Sequence, residues 1–197
     1  MARSSSSRRR ERILLAARAQ FEATGFRGAS IARIAEEAGV APGTIYWHFE
    51  SKEALFLRLF EDDNARWFAL ARDVLGRAGT ALERLVMLSR TSADFYRESK
   101  LLLSVLRRDG RMLPPSMLEE VHARLARQSI ALLAELIQQG IDDGSIRAVD
   151  PEKTAAVLFA AGHALFNQSD FAYEDLVAVL VELTLRGLAR AGPDADG

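Results

Sequence analysis

Residues 30 to 52 read Ser30-Ile31-Ala32-Arg33-Ile34-Ala35-Glu36-Glu37-Ala38-Gly39-Val40-Ala41-Pro42-Gly43-Thr44-Ile45-Tyr46-Trp47-His48-Phe49-Glu50-Ser51-Lys52. Ile31, Ile34, Ala35 and Ala38 recur at steps of three and four, which puts them on one face of a short helix. Ser30 stands before that helix as an N-cap, and Gly39 follows it where a left-handed backbone costs least. Val40 packs the turn. Pro42 opens a second helix at a position that tolerates a missing N–H. Ile45 and Phe49, four residues apart, then face inward, leaving Gly43, Thr44, Trp47 and His48 to point elsewhere. Ser51 caps the following helix, with Glu53 in its positively polarised first turn. Two short helices joined by a tight glycine turn form a helix-turn-helix, whose second helix is built to enter a DNA major groove.

A wider pattern agrees in register with this stretch: Ile13-Leu14-Leu15-Ala16-Ala17, then Phe21, Gly25-Phe26, and Ser30-Ile31 through Lys52-Glu53-Ala54-Leu55-Phe56. In these positions the chain resembles the TetR family of bacterial transcription regulators. The remainder is similar to the family only in being helical, of the usual length, and ending in two apolar helices. The resemblance implies an all-α protein with two parts. Residues 1–54 would be a three-helix helix-turn-helix DNA-binding domain with a basic N-terminal arm, and residues 55–197 a helical ligand-binding and dimerisation domain. It further implies a ligand-responsive homodimer on double-stranded DNA, usually a repressor, released from a palindromic operator by a small effector. Carried over residue by residue, Pro42, Gly43, Thr44 and Trp47 come nearest the bases, while Ser30, Tyr46, His48 and Lys52 hold phosphates. The side-chain chemistry agrees, because hydroxyl, imidazole and ammonium groups donate to phosphate oxygens and fix register, whereas base contacts specify sequence. Thr44 offers a methyl to thymine or a hydroxyl to a base edge. Two readings of Trp47 stand: contact with base or sugar, or a ring that covers the turn. Ala41 replaces the Ser or Thr cap common in the family, at about 1 kcal/mol of helix start signal. Glu50 adds negative charge where a basic or neutral residue is frequent.

Charge is unevenly placed along the 197 residues. Residues 1–60 carry ten Lys and Arg against six Asp and Glu, whereas residues 61–197 carry sixteen against twenty-one. A basic N-terminal module on an acidic body fits a DNA reader joined to a part that need not touch DNA. Arg3, Arg8, Arg9, Arg10 and Arg12 form the arm, which either follows the duplex into the minor groove, where arginine is favoured, or stays a solvated charge run. With no cysteine, the chain has no disulfide, thiolate metal site or cysteine nucleophile, which fits a reducing cytoplasm. No signal-peptide pattern opens the sequence, and no apolar run reaches the roughly 18 residues needed to cross a membrane.

Further helices are punctuated clearly. One is expected from about Arg8 to Thr24, ending at Gly25, and the helix opened by Ser51 should continue to about Gly76, joining the DNA module rigidly to the body. Thr80-Ala81-Leu82-Glu83 reads as a capping box for a helix to about Ser99, with a short helix following over Leu101 to Arg108. Ser116-Met117-Leu118-Glu119 reads as a second box, opening a long helix to about Gly140. Asp150-Pro151-Glu152 starts a helix to about Asn167, and the last spans about Tyr173 to Ala191. No alternating strand pattern is present.

The last two helices are apolar round much of their circumference, through Ala155, Leu158, Phe159, Gly162 and Leu165 in one and Leu176, Val179, Leu180, Leu183 and Leu188 in the other. A helix apolar on more than one face must bury both, and a symmetry mate is the economical cover for the second, so the homodimer is expected to form through these two helices. Phe68, Phe95, Tyr96, Leu102, Leu103, Leu106, Met112, Leu113, Met117, Phe159 and Phe166 supply the body with apolar side chains. They serve either as core or as walls of the cavity that the resemblance implies. His122, His163 and Asn167 are the polar groups expected to face inward and orient a ligand, and the sparse charge around them favours a largely apolar one. An enzyme is not indicated: there is no glycine-rich phosphate loop, no metal-spaced histidine cluster and no local nucleophilic triad, and no cofactor is called for. The alternative to a DNA-binding regulator is a helical interaction module that keeps the fold without sequence-specific DNA binding.

Overall fold

A computed structural model describes residues 5–98, 115–165 and 173–189. Within them lie eight helices: α1 (Ser5–Gly28), α2 (Ile31–Ala38), α3 (Pro42–His48), α4 (Lys52–Leu75), α5 (Ala81–Glu98), α6 (Pro115–Asp142), α7 (Pro151–Leu165) and α8 (Tyr173–Leu188). The expected helix over 101–108 lies outside the described residues. The all-α expectation holds; among the described residues the one extended pairing is an isolated antiparallel bridge between Ile146 and Ala189. Two compact units divide the chain, Met1–Arg66 with Glu98–Leu118, and Trp67–Arg97 with Glu119–Gly197, so that the division falls within α4.

The first unit is built around one apolar cluster. Ile13, Ala17 and Phe21 of α1, Ile34, Ala35 and Ala38 of α2, Ile45 of α3, Phe49, and Leu55, Phe56 and Leu59 of α4 are all buried in it. Three phenylalanines form its centre. Phe21 stacks on Phe26 with ring centroids 5.8 Å apart, and Phe56 meets both edge-on at 5.3 and 5.5 Å. Such pairs add about 0.5–1.5 kcal/mol each beyond the area they bury. α1 is already helical at Ser5, earlier than its sequence pattern suggests, and its helical geometry breaks at Gly25 (φ 75°, ψ 178°), the residue at which its end was expected.

Ser30 caps α2 as expected, its Oγ accepting from the Arg33 N–H at 3.2 Å. Gly39 terminates the helix at φ 63°, ψ 44°, a left-handed conformation that a side chain would strain, while its N–H and that of Val40 return to the Glu36 and Ala35 carbonyls.

Asp63 of α4 is fully buried. Its two carboxylate oxygens accept from both terminal nitrogens of Arg18 on α1, at 3.0 and 2.6 Å. Burial opposes the guanidinium charge, but the hydrogen bond and charge of Asp63 more than offset this, and the Arg18 pKa is raised. The fork geometry of arginine matches a carboxylate in two parallel bonds.

The second unit is closed by reciprocal capping. The Thr80 N–H donates to Glu83 Oε2 at 2.8 Å and the Glu83 N–H to Thr80 Oγ1 at 3.3 Å, completing the expected box at the start of α5. The turn after α6 reinforces it, since the Ala81 N–H donates to Asp143 Oδ2 at 2.8 Å and the Leu82 N–H to Ser145 Oγ at 3.3 Å. Hydrogen bonds from Ser145 and the Ala81 and Ser145 N–H groups hold the Asp143 carboxyl below its usual pKa. In the same turn Ile146 packs against Gly140 so closely that a Cβ there would lie 2.4 Å from Ile146 Cδ1. Asp150 caps α7 through the Lys153 N–H at 3.0 Å, as its sequence implies.

The second box is a correction. α6 already includes Pro115, so Ser116 sits inside the first turn rather than capping it. Proline is tolerated in the first turn of a helix, where its missing N–H costs nothing, so the helix can include it ahead of Ser116.

Replacing Arg18 by Ala should leave Asp63 buried without its bidentate partner and lower unfolding free energy by about 3–5 kcal/mol in urea titrations. The pair Arg18→Met with Asp63→Leu should recover most of that loss.

Candidate nucleic-acid interface

α3 is seven residues long and begins without a side-chain cap, because Ala41 has no oxygen to offer the first turn. What fixes it is burial of Ile45 and Phe49 in the first unit's core. With those two turned inward, the remaining side chains face out. Pro42 and Gly43 are exposed, Tyr46 is 54 % exposed and Trp47 76 %. Trp47 therefore does not cover the turn. Its ring meets His48 edge-on at 4.6 Å between centroids, and the rest projects into solvent. Around Gly43 nothing lies within 4 Å of where a Cβ would stand, so a surface could approach the backbone there closely. Thr44 is half-buried beside it, and Glu50 is exposed.

The expected phosphate ligands are placed unequally. Ser30 sits at the start of α2 with its hydroxyl engaged by the Arg33 N–H. His48 is half-buried, and burial first, then the charges of Arg10 and Arg9, lower its pKa. Lys52 has a second task that the sequence did not reveal. Its ammonium donates to the Phe26 carbonyl at 2.9 Å and the Ala29 carbonyl at 3.1 Å, and lies 4.5 Å from the centroid of the Phe26 ring. It ties the start of α4 to the chain leaving α1. Its partners lie 26 and 23 residues away, and no local spacing announces them.

The residues named for the ligand site fare differently. Phe68 and Phe95 are buried in the second unit's core, where Phe95 lies 5.7 Å from Trp67, and Phe159 packs partly buried against the same core. His122 and His163 both keep exposed surface, and their rings meet edge-on at 5.6 Å between centroids. Phe159 lies 5.9 Å from His163 on its other side. Crowding by the protein, then the neighbouring His122, lowers the His163 pKa. The two imidazoles come from separate helices, so each offers the other a polar neighbour that the core would not. Leu102, Leu103, Leu106, Met112, Leu113, Phe166 and Asn167 lie outside the described residues, as do the side chains of Tyr96 and Met117.

Residues 13–59 match the sequence profile of bacterial regulatory proteins of the tetR family, and residues 78–167 that of a tetracyclin repressor-like C-terminal domain. The chain is similar to the uncharacterized HTH-type transcriptional regulator YhgD of Bacillus subtilis (strain 168), 26% identical over 193 residues, 92% of this chain and 97% of that protein. It is also similar to the HTH-type transcriptional repressor KstR2 of Mycobacterium tuberculosis (strain ATCC 25618 / H37Rv), 28% identical over 72% of this chain and 70% of that one. A solved structure described as the molecular basis for control of antibiotic production by bacterial hormones superposes with a TM-score of 0.73 at 27% identity, covering 95% of this chain and 100% of its own.

Lys52→Met keeps the methylene packing but removes both carbonyl bonds. Thermal and urea unfolding should register a loss of about 2 kcal/mol, within the range for hydrogen bonds to charged groups.

Proposed function

Because the chain belongs to the TetR family of bacterial transcriptional regulators, and is a DNA-binding regulator rather than an enzyme, we propose that it works in the cytoplasm as a homodimeric repressor. It would hold a palindromic operator until a small, largely apolar effector releases it. The observation that carries this reading is the division of α3, with Ile45 and Phe49 locked in the core while Tyr46, Trp47 and the open backbone at Gly43 stay exposed. In this reading residues 1–54 read DNA and residues 55–197 dimerise and bind the effector. Pro42, Gly43, Thr44 and Trp47 meet base edges; Ser30, Tyr46, His48 and Lys52 meet phosphates.

The dimer is supported by apolar surface that the protomer leaves uncovered on its last two helices. Val157 of α7 is 67 % exposed and Leu183 of α8 64 %. Dimers of helix-turn-helix proteins reach half-sites about one helical turn apart, so a two-fold protein reads a palindrome. Repression is supported by the similarity to KstR2, which carries that description. The small-molecule effector is supported by the similarity to a structure described in terms of control by bacterial hormones. Phe68, Phe95, Phe159, His122 and His163 are the described residues from which its site would draw.

Selection of bound fragments from a genomic DNA pool, followed by sedimentation of the complex, tests the proposal. A palindromic site carrying two protomers per site is the expected result. A folded protein that enriches no fragment, even after unfolding, dialysis and refolding to strip any bound effector, would favour the interaction-module alternative.

A pH titration tests the place given to His48. Its pKa in the free protein lies below the ordinary value, so the ring is neutral near pH 7, whereas a phosphate beside it favours the imidazolium. Binding then takes up a proton, and affinity should rise as pH falls from about 7.5 to about 6, a dependence that linkage ties to that uptake. Anisotropy at fixed ionic strength should show the slope, and His48→Gln should flatten it.

A further inference from the structure

The first described turns of α1 carry Arg8, Arg9, Arg10 and Arg12, with Glu11 the one acid among them. These residues are helical from Ser5 onward, so the stretch cannot lie in the minor groove as an extended arm. An α-helix with its side chains is about 10–12 Å across, whereas the minor groove is about 6 Å wide. Arg3 lies outside the described residues.

Two contacts tie this basic stretch to the reading helix. The guanidinium of Arg10 lies 5.3 Å from the centroid of the Phe49 ring, the residue that closes α3. Nη1 of Arg12 lies 3.4 Å from where a Cβ on Gly39 would stand, in the turn that leads into α3. The basic stretch thus reaches the chain both before and after the recognition helix. Arg8 and Arg12 are themselves exposed. The lowered His48 pKa, to which Arg10 and Arg9 contribute after burial, is consistent with this proximity.

We propose that the N-terminal turns of α1 form a second DNA-contacting element, a ridge that binds backbone phosphates of the same duplex that α3 reads. Arg8 and Arg12 are its contacting side chains, and Arg10, resting on Phe49, joins it to the reading helix. This rests on the DNA-binding function above. The chemistry favours phosphate over bases. The ridge offers guanidinium forks, which match phosphate in bidentate geometry, and its helix is too wide to lie in the minor groove. Glu11 opposes the contact, so the ridge acts through several arginines rather than one.

The test is fluorescence anisotropy of the full chain on two duplexes, the selected operator and a scrambled version, across a salt series. Arg8→Ala with Arg12→Ala should weaken binding to both duplexes by similar factors. The slope of log K against log salt should become shallower by about 0.9 for each phosphate that is no longer neutralised. Arg72→Ala with Arg90→Ala removes the same charge from two exposed positions of the second unit and should leave the slope unchanged. Arg8→Lys with Arg12→Lys should restore the slope, which a loss of folding in the alanine variant would not predict. An unchanged slope in the alanine variant, or an equal fall in the Arg72 and Arg90 control, would overturn the ridge while leaving α3 as the DNA reader. A wild-type protein that binds neither duplex would overturn both.

Discussion

The arrangement of the first unit depends on a helix that could not stand alone. Isolated helices shorter than about 12–15 residues are marginal in water, and α3 has seven residues with no side-chain cap. Its conformation is therefore borrowed from tertiary packing, and Ile45 and Phe49 are the two attachment points. Because those two sit four residues apart, they fix the rotation of α3 as well as its position. The outward direction of Tyr46 and Trp47 follows from that, and the left-handed turn at Gly39 sets the angle at which α2 hands over to α3.

Charged groups do much of the remaining positioning. Arg18 and Asp63 join α1 to α4 through two parallel hydrogen bonds, with Arg66 and Glu22 as more distant charged neighbours. Lys52 satisfies two carbonyls at the end of α1, where a helix leaves acceptors without intrahelical donors. A single ammonium thus closes the fold and stands where a phosphate contact is proposed. The two roles share one group of donors, and the carbonyl bonds hold it in place.

What the sequence disclosed was the local chemistry. Ser30, Gly39, the Thr80–Glu83 box and Asp150 act within a few residues of themselves, so spacing alone identifies them. The failures are non-local, or arise where two local rules compete. Pro115 and Ser116 each signal a helix start, and the structure follows the proline. Asp63 sits on the apolar stripe of α4, three residues after Phe60 and four before Trp67, so helical periodicity marks it as buried, but its partner lies 45 residues away. Lys52 reads from the sequence as a phosphate ligand, because nothing adjacent announces its two carbonyl partners. The histidines of α6 and α7 were read separately, and only the packing of the two helices brings the rings together. Phe68 and Phe95 were legible as buried aromatics, while the choice between core and cavity wall depends on neighbours that no pattern in the chain specifies.

The chain contains two tryptophans, and they occupy opposite environments. Trp47 stands in solvent on the helix-turn-helix, whereas Trp67 is buried in the core of the second unit. The indoles should therefore emit at different wavelengths, the exposed one further to the red, and iodide should quench one far more than the other. Each unit carries its own intrinsic fluorophore. Events at the reading helix and events in the helical body can be followed separately in the unlabelled protein, without a dye or a substitution.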